Sequence, residues 1–264
     1  MSPHPVLFTV AFRRKMAELG LDQRREWLVS LAERFVQGGA RRDAILAQEL
    51  REVARGCRLS LVDAVAKQLG PFDPRHLSAL LEVPRERFVR PGDIEQSVDD
   101  LPLPLDGEGL ATISAPHAYL LSYRLLGLGL GDHLVELGTG SGYGAALAAF
   151  IVGPEGRVLS FEIDLDLASW ARRTLCDEPN VEIVEADAVD SALLWRNAPK
   201  VAVTFAVETL PEPWLDALPE AGTLVAPVGP LERDQRLVLF TKRRGRIVQT
   251  DHGAVRYVKN RSTR

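Results

Sequence analysis

Apolar and polar positions alternate at helical spacing through the first quarter of the chain. Trp27, Leu28, Leu31, Phe35 and Val36 recur three to four residues apart, with Arg24, Arg25, Glu26, Glu33 and Arg34 between them. The stretch Ile45 to Val53 repeats the pattern, so Val6 to Leu69 reads as helical. Gly38-Gly39 and Gly56 read as helix stops, and Ser60 as the start of a further short helix with Asp63 in its first turn. Gly70-Pro71-Phe72-Asp73-Pro74 is the clearest break, because each proline disfavours helix in the residue before it. The expected division is therefore residues 1–74, a helical region, and residues 75–264, a second domain.

Beyond the break the period changes. A short helix is expected over His76 to Val83, then a polar, proline-rich passage. After Ala115, helices and strands alternate: helix at Tyr119 to Gly127, strand at His133 to Leu137, helix at Tyr143 to Val152 and strand at Arg157 to Glu162. Helix at Leu167 to Leu175 and strands at Val181 to Glu185, Val201 to Ala206, Thr223 to Pro227 and Arg236 to Thr241 follow. Such alternation predicts an α/β fold with a mostly parallel sheet covered on both faces.

Composition narrows the function. A formal net charge of −4 argues against non-specific nucleic-acid binding. The basic clusters Arg13-Arg14-Lys15 and Arg41-Arg42 sit among acids and read as solvated helix faces. The apolar run Ala145 to Val152 is too short to span a membrane, which needs about 20 residues. No secretory signal is expected at Met1 to Val10. Cys57 and Cys176 lie far apart, without metal-ligand spacing, and read as reduced thiols in a cytoplasmic protein that holds no metal.

The most informative stretch is Val135-Glu136-Leu137-Gly138-Thr139-Gly140-Ser141-Gly142-Tyr143-Gly144. A buried strand ends in an acid, a glycine-rich turn follows and a helix opens. Glycines let the backbone pass close beneath a ligand, and amides gather at the helix start. Glu162 closes the next strand, where an acid meets ribose hydroxyls, and Asp187 with Ala188 follows the third strand. Gly140, Gly142 and Ala145 also satisfy the dinucleotide spacing, so a nicotinamide or flavin stays open on spacing alone. Glu136 favours S-adenosyl-L-methionine, because an acid there could face an ammonium and would repel a pyrophosphate. The expected cofactor residues are Thr112, Glu136, Gly138, Thr139, Gly140, Gly142, Glu162, Asp187 and Ala188.

Upstream lies Gly109-Leu110-Ala111-Thr112-Ile113-Ser114-Ala115-Pro116-His117. With the glycine turn, with Val83-Pro84-Arg85-Glu86-Arg87-Phe88-Val89, Asp100-Leu101-Pro102-Leu103-Pro104 and Pro227-Val228-Gly229-Pro230, it resembles the protein-L-isoaspartate O-methyltransferase family over about His76 to Phe240. The resemblance implies a Rossmann-like class I methyltransferase domain after the helical region. It also implies methyl transfer to the isoaspartyl carboxylate of a damaged protein or peptide, with Ser114 as the active-site residue. A carboxylate ionised at neutral pH needs no general base. A helix N-cap before Pro116 is the plainer role for Ser114, and His117, one turn on, has no proton to remove.

The chain departs from that family at three places. Leu110-Ala111 fill a gap usually held by one residue. Phe205-Ala206-Val207-Glu208 replace a run of small residues, and Lys259-Asn260 follow Arg256-Tyr257-Val258 where the family has Pro-Leu. By the resemblance these changes lie where a peptide would be gripped, so the acceptor could instead be a dedicated peptide or small-molecule carboxylate. A cofactor-binding module without activity is the alternative of another class.

Overall fold

The computed structural model describes residues 5–37, 44–259 and 261. The expected stop at Gly38-Gly39 and the cluster Arg41-Arg42 lie outside the described residues. The chain forms two compact units, Met1–Leu103 and Pro104–Arg264. The expected break at residues 70–74 ends a helix inside the first unit.

The first unit is helical: α1 (Pro5–Glu18), α2 (Leu21–Gln37), α3 (Ala44–Leu69) and α4 (Pro74–Glu82), followed by three single-turn 3-10 segments. Leu28 and Leu31 of α2 and Val53 of α3 are buried at the spacing that marked them as apolar faces, and Cys57, Leu61 and Val65 continue the buried face of α3. The stop at Gly56 and the new start at Ser60 are not observed, because α3 runs unbroken through both. A glycine inside a helix costs only about 1 kcal/mol relative to alanine. Here its carbonyl also accepts from Arg24 Nη1 at 2.9 Å. Gly70, at φ +81°, ends α3, and Asp73 caps α4 by accepting from Arg75 N at 2.8 Å, with Pro74 in the first turn. Arg13 of the basic cluster pairs with Glu52 at 2.7 Å, and Lys15 lies over the Trp27 ring.

The second unit opens on a loop; of its two shortest strands, β1 (Leu103–Pro104) lies at the division and β2 (Thr112–Ile113) follows the loop. It continues through α5 (Pro116–Leu125), β3 (His133–Leu137), α6 (Tyr143–Val152), β4 (Arg157–Glu162), α7 (Leu165–Thr174), β5 (Val181–Glu185), β6 (Lys200–Val203), α8 (Glu212–Ala217), β7 (Thr223–Val228), β8 (Gln235–Arg243) and β9 (Arg246–Val255). Seven strands form one sheet in the order β5-β4-β3-β6-β7-β8-β9. The pairings from β5 to β7 are parallel, and β8 and β9 return antiparallel. This is the expected mostly parallel, Rossmann-like sheet, with β8 and β9 as an added meander.

β3 has later strands on both sides, so the chain's order reverses there. Such a switch point opens a crevice beyond the carboxyl ends of the strands. The apolar layer on one face includes Val135, Leu137, Phe161, Val201, Val203, Leu224 and Trp214. The connection from β5 to β6 carries turns, and Trp195 is buried within it. β6 ends three residues earlier than expected, because Thr204 turns its hydroxyl onto Leu137 O at 3.0 Å and Gly138 O at 2.5 Å and diverts the backbone.

Candidate active site

The carboxyl ends of β3, β4 and β5 open into a cleft of about 700 Å3, its open mouth included. Of the ten sequence-predicted residues, Thr112, Ser114, Gly138, Thr139, Gly140, Glu162, Asp187 and Ala188 line it, while Glu136 and Gly142 do not.

The glycine turn is held from below. Gly138 N and Thr139 N both donate to Phe161 O, at 2.8 and 3.0 Å. Gly138 has φ +102°, and a Cβ there would overlap Thr204 Oγ1 and stand 2.9 Å from the Phe205 ring, so only glycine fits. Gly140, at φ +57°, donates its N–H to Glu162 Oε2 at 2.7 Å, and Asp164 N donates to Glu162 Oε1 at 3.0 Å. Each Glu162 oxygen keeps capacity for a further donor. Burial pushes this carboxyl above the ordinary value, against those two amides and the nearby Arg261 guanidinium. Asp187 accepts from Val189 N at 2.9 Å and stands beside Ala186 and Ala188 in the lining.

Glu136 corrects the expectation that its carboxylate faces an ammonium in the cleft. Its side chain turns into the core, where Ser160 Oγ donates to Oε2 at 2.6 Å and shares a 2.6 Å hydrogen bond with Thr139 Oγ1. The space beside it exists because Gly144 lacks a side chain: a Cβ there would overlap Glu136 Oε1. Burial, with no cation to offset it, pushes the Glu136 carboxyl up to about 8; Ser160 opposes the rise and the Glu162 charge adds to it. Gly142 serves packing instead. It is the left-handed N-cap of α6, and a Cβ would stand 2.8 Å from Leu175 Cδ1 of the segment after α7.

Ser114 is half-buried at the cleft, and its backbone N–H donates to the Tyr119 hydroxyl at 3.2 Å. The N-cap of α5 is Ala115, with no side-chain cap, so the capping role expected for Ser114 is not observed. His117 stays outside the lining. Sequence reasoning did not single out Ser141, Tyr119, Thr204 or Arg261, which line the cleft; Lys259, an altered position where the resemblance implies that a peptide is gripped, lines it too. Ser141 Oγ is buried with no hydrogen-bond partner among the described residues, a group that a polar ligand would satisfy. Arg261 pairs with the α7 cap Asp164 at 2.5 Å. No spacing signal could have found it, since it is brought in only by the β8–β9 meander and by Ala206 N donating to Val258 O at 2.8 Å. Of the altered residues, Leu110, Ala111, Phe205 and Lys259 reach the lining, as does the neighbouring Val258, and Glu208 is exposed elsewhere; Asn260 lies outside the described residues.

A ligand here would meet a glycine turn, an orphaned hydroxyl, two acids at successive strand ends and apolar walls from Phe161, Ile163 and Leu167. Hydroxyls and amides stand at the Thr112–Ser114 end. No group of three or more metal-ligating side chains occurs among the described residues. No helix among them is long and apolar enough to cross a membrane.

Comparison with known proteins gives a consistent result. Residues 60–264 match the family described as protein-L-isoaspartate(D-aspartate) O-methyltransferase. The protein-L-isoaspartate O-methyltransferase 2 of Archaeoglobus fulgidus is 38% identical over 185 residues, 68% of this chain and 82% of that protein. The protein-L-isoaspartate O-methyltransferase of Alkalilimnicola ehrlichii is 36% identical over 80% of this chain and 94% of its own. A solved structure of that name superposes with a TM-score of 0.70 at 28% identity, covering 76% of this chain and 65% of the other. A Plasmodium falciparum chain of similar description, solved with S-adenosyl-L-homocysteine, shares the fold at 23% identity and a TM-score of 0.66, over 76% of this chain and 97% of its own.

Proposed function

The chain belongs to the protein-L-isoaspartate O-methyltransferase family, and from that premise we propose that it transfers the methyl group of S-adenosyl-L-methionine to the isoaspartyl α-carboxylate of damaged proteins or peptides at the cleft above β3 and β4. The observation that carries this reading is the joining of a glycine turn, a strand-end acid and the Thr112–Ser114 hydroxyls in one cleft.

The residues present fit the cofactor. Gly138 and Gly140 leave a cradle that a Cβ would fill, and Ser141 Oγ awaits a partner. Glu162, with lone pairs to spare, would take the ribose hydroxyls, and Asp187 with Ala188 would meet the adenine end. When bound, the cofactor supplies an electrophilic methyl on a sulfonium.

The protein's own work is orientation. The acceptor carboxylate is ionised at neutral pH, so no residue removes a proton. Ser114 donates a hydrogen bond that fixes the carboxylate's direction, and Tyr119 holds the Ser114 backbone. Alignment of this kind lowers a barrier through proximity alone. The methyltransferase domain is taken to begin at about residue 75, so that its first segments, to Leu103, share a compact unit with the preceding helices. Two free cysteines, Cys57 buried and Cys176 exposed, support a reducing, cytoplasmic setting.

The test is methyl transfer from labelled cofactor to a short isoaspartyl peptide, with its aspartyl isomer as control. Isomer-selective labelling is expected. Cofactor binding with labelling of neither peptide would rule the reading out.

A further inference from the structure

Two apolar side chains, Leu110 and Phe205, line the same cleft. Leu110 lines it with its side chain 53% exposed. A lone exposed leucine is ordinary, but this one is held in place. Asp106 Oδ1 accepts from Glu108 N at 3.2 Å and Leu110 N at 3.0 Å, and Oδ2 from Ala111 N at 2.8 Å. Leu105 N donates to Ala111 O at 2.8 Å, closing the loop. The turn therefore presents Leu110 two residues before Thr112, at the Ser114 end.

Phe205 lines the same cleft and is equally fixed. Its ring meets Trp214 edge-on at 6.2 Å, and Trp214 is fully buried with Nε1 donating to Ala188 O at 3.1 Å. Ala206, the next residue, carries the bond that brings Val258 to the lining. The cations on this rim are already paired, Lys259 with Glu232 and Arg261 with Asp164. Beside the Thr112 and Ser114 hydroxyls, the lining offers the apolar surface of Leu110, Phe205 and Val258.

We infer that Leu110, Phe205 and Val258 form a specificity wall that selects acceptors carrying an apolar side chain beside the isoaspartyl residue. The inference rests on the isoaspartyl reading above. Such a side chain covers Leu110 and removes its surface from water, an increment that hydrophobic subsites turn into roughly tenfold or greater discrimination.

The test compares two isoaspartyl hexapeptides that differ only in having leucine or serine on both sides of the isoaspartyl residue. Wild-type kcat/KM is expected to favour the leucine peptide by about tenfold, and Leu110→Ser to reduce that preference to about twofold. Phe205→Leu, which keeps an apolar side chain, is expected to retain more of it. Calorimetric titration of S-adenosyl-L-homocysteine in each preparation reports whether the variants are folded. Equal use of both peptides by the wild type, or an undiminished preference in a folded Leu110→Ser, overturns the specificity wall and leaves isoaspartyl methylation standing. Labelling of neither peptide by a cofactor-binding wild type overturns the isoaspartyl reading, and the wall with it.

Discussion

In the helical unit Arg58 is fully buried and meets Glu86 at 2.5 Å, whereas in the sheet unit Glu136 is buried nearly as deeply and meets the Ser160 hydroxyl. Arg58 also donates to Leu81 O, and buried Arg85 donates to the carbonyls of Ser97, Asp99 and Leu101. The helical unit buries charge by giving it an opposite charge or carbonyls. The sheet unit gives Glu136 no cation and lets its pKa rise, and burial raises Glu162 as well despite the nearby Arg261 guanidinium. The difference follows from what each unit is for. In the first, Arg58 and Arg85 tie the short segments after α4 to α3 and to one another, and the second keeps a cleft lined with polar groups.

The comparison breaks most readily at Arg58. Arg58→Ala leaves Glu86 buried without its partner, and a loss of about 3–5 kcal/mol is expected in urea unfolding. A loss under 1 kcal/mol would mean that the pair is not the tie described here.

Glu136→Gln probes the other side. A carboxyl near 8 in the folded chain and near 4.5 ordinarily binds its proton more tightly when folded. Its contribution to stability is whole below about 4.5 and is lost as pH rises through about 8. Wild-type Tm is therefore expected to fall relative to Glu136→Gln across that window. Parallel curves would show that Glu136 is ionised throughout.

The smallest effect belongs to the surface. Arg157 and Glu182 meet at 2.5 Å but are both largely exposed. Arg157→Ala should cost less than about 1 kcal/mol and become neutral in high salt. A larger cost would blur the contrast between buried and exposed pairs.

The two units were also unequally legible in the sequence. β3, α6, β4 and β5 have the expected boundaries, because short apolar runs between glycines and polar turns leave little choice of period. α3 was read as broken at Gly56, since a single glycine signals a stop only when packing does not oppose it. α8 and β9 went unread; β9 is largely exposed, so burial wrote no alternation into it. In the cleft, eight predicted residues converge because the strand-turn-helix motif fixes them locally. Glu136 was misplaced because spacing shows where a residue stands along a strand and not which way its side chain turns. Arg261 was missed because only tertiary structure brings this part of the chain to the cleft.

The most direct test is Ser114→Ala, assayed for labelled methyl transfer to an isoaspartyl peptide beside calorimetric titration of S-adenosyl-L-homocysteine. If Ser114 orients the acceptor, kcat/KM falls about 100-fold while cofactor affinity stays within about twofold, since the cofactor's expected partners lie elsewhere in the cleft. Unchanged turnover in a variant that binds cofactor normally would contradict the account, placing the acceptor away from Ser114.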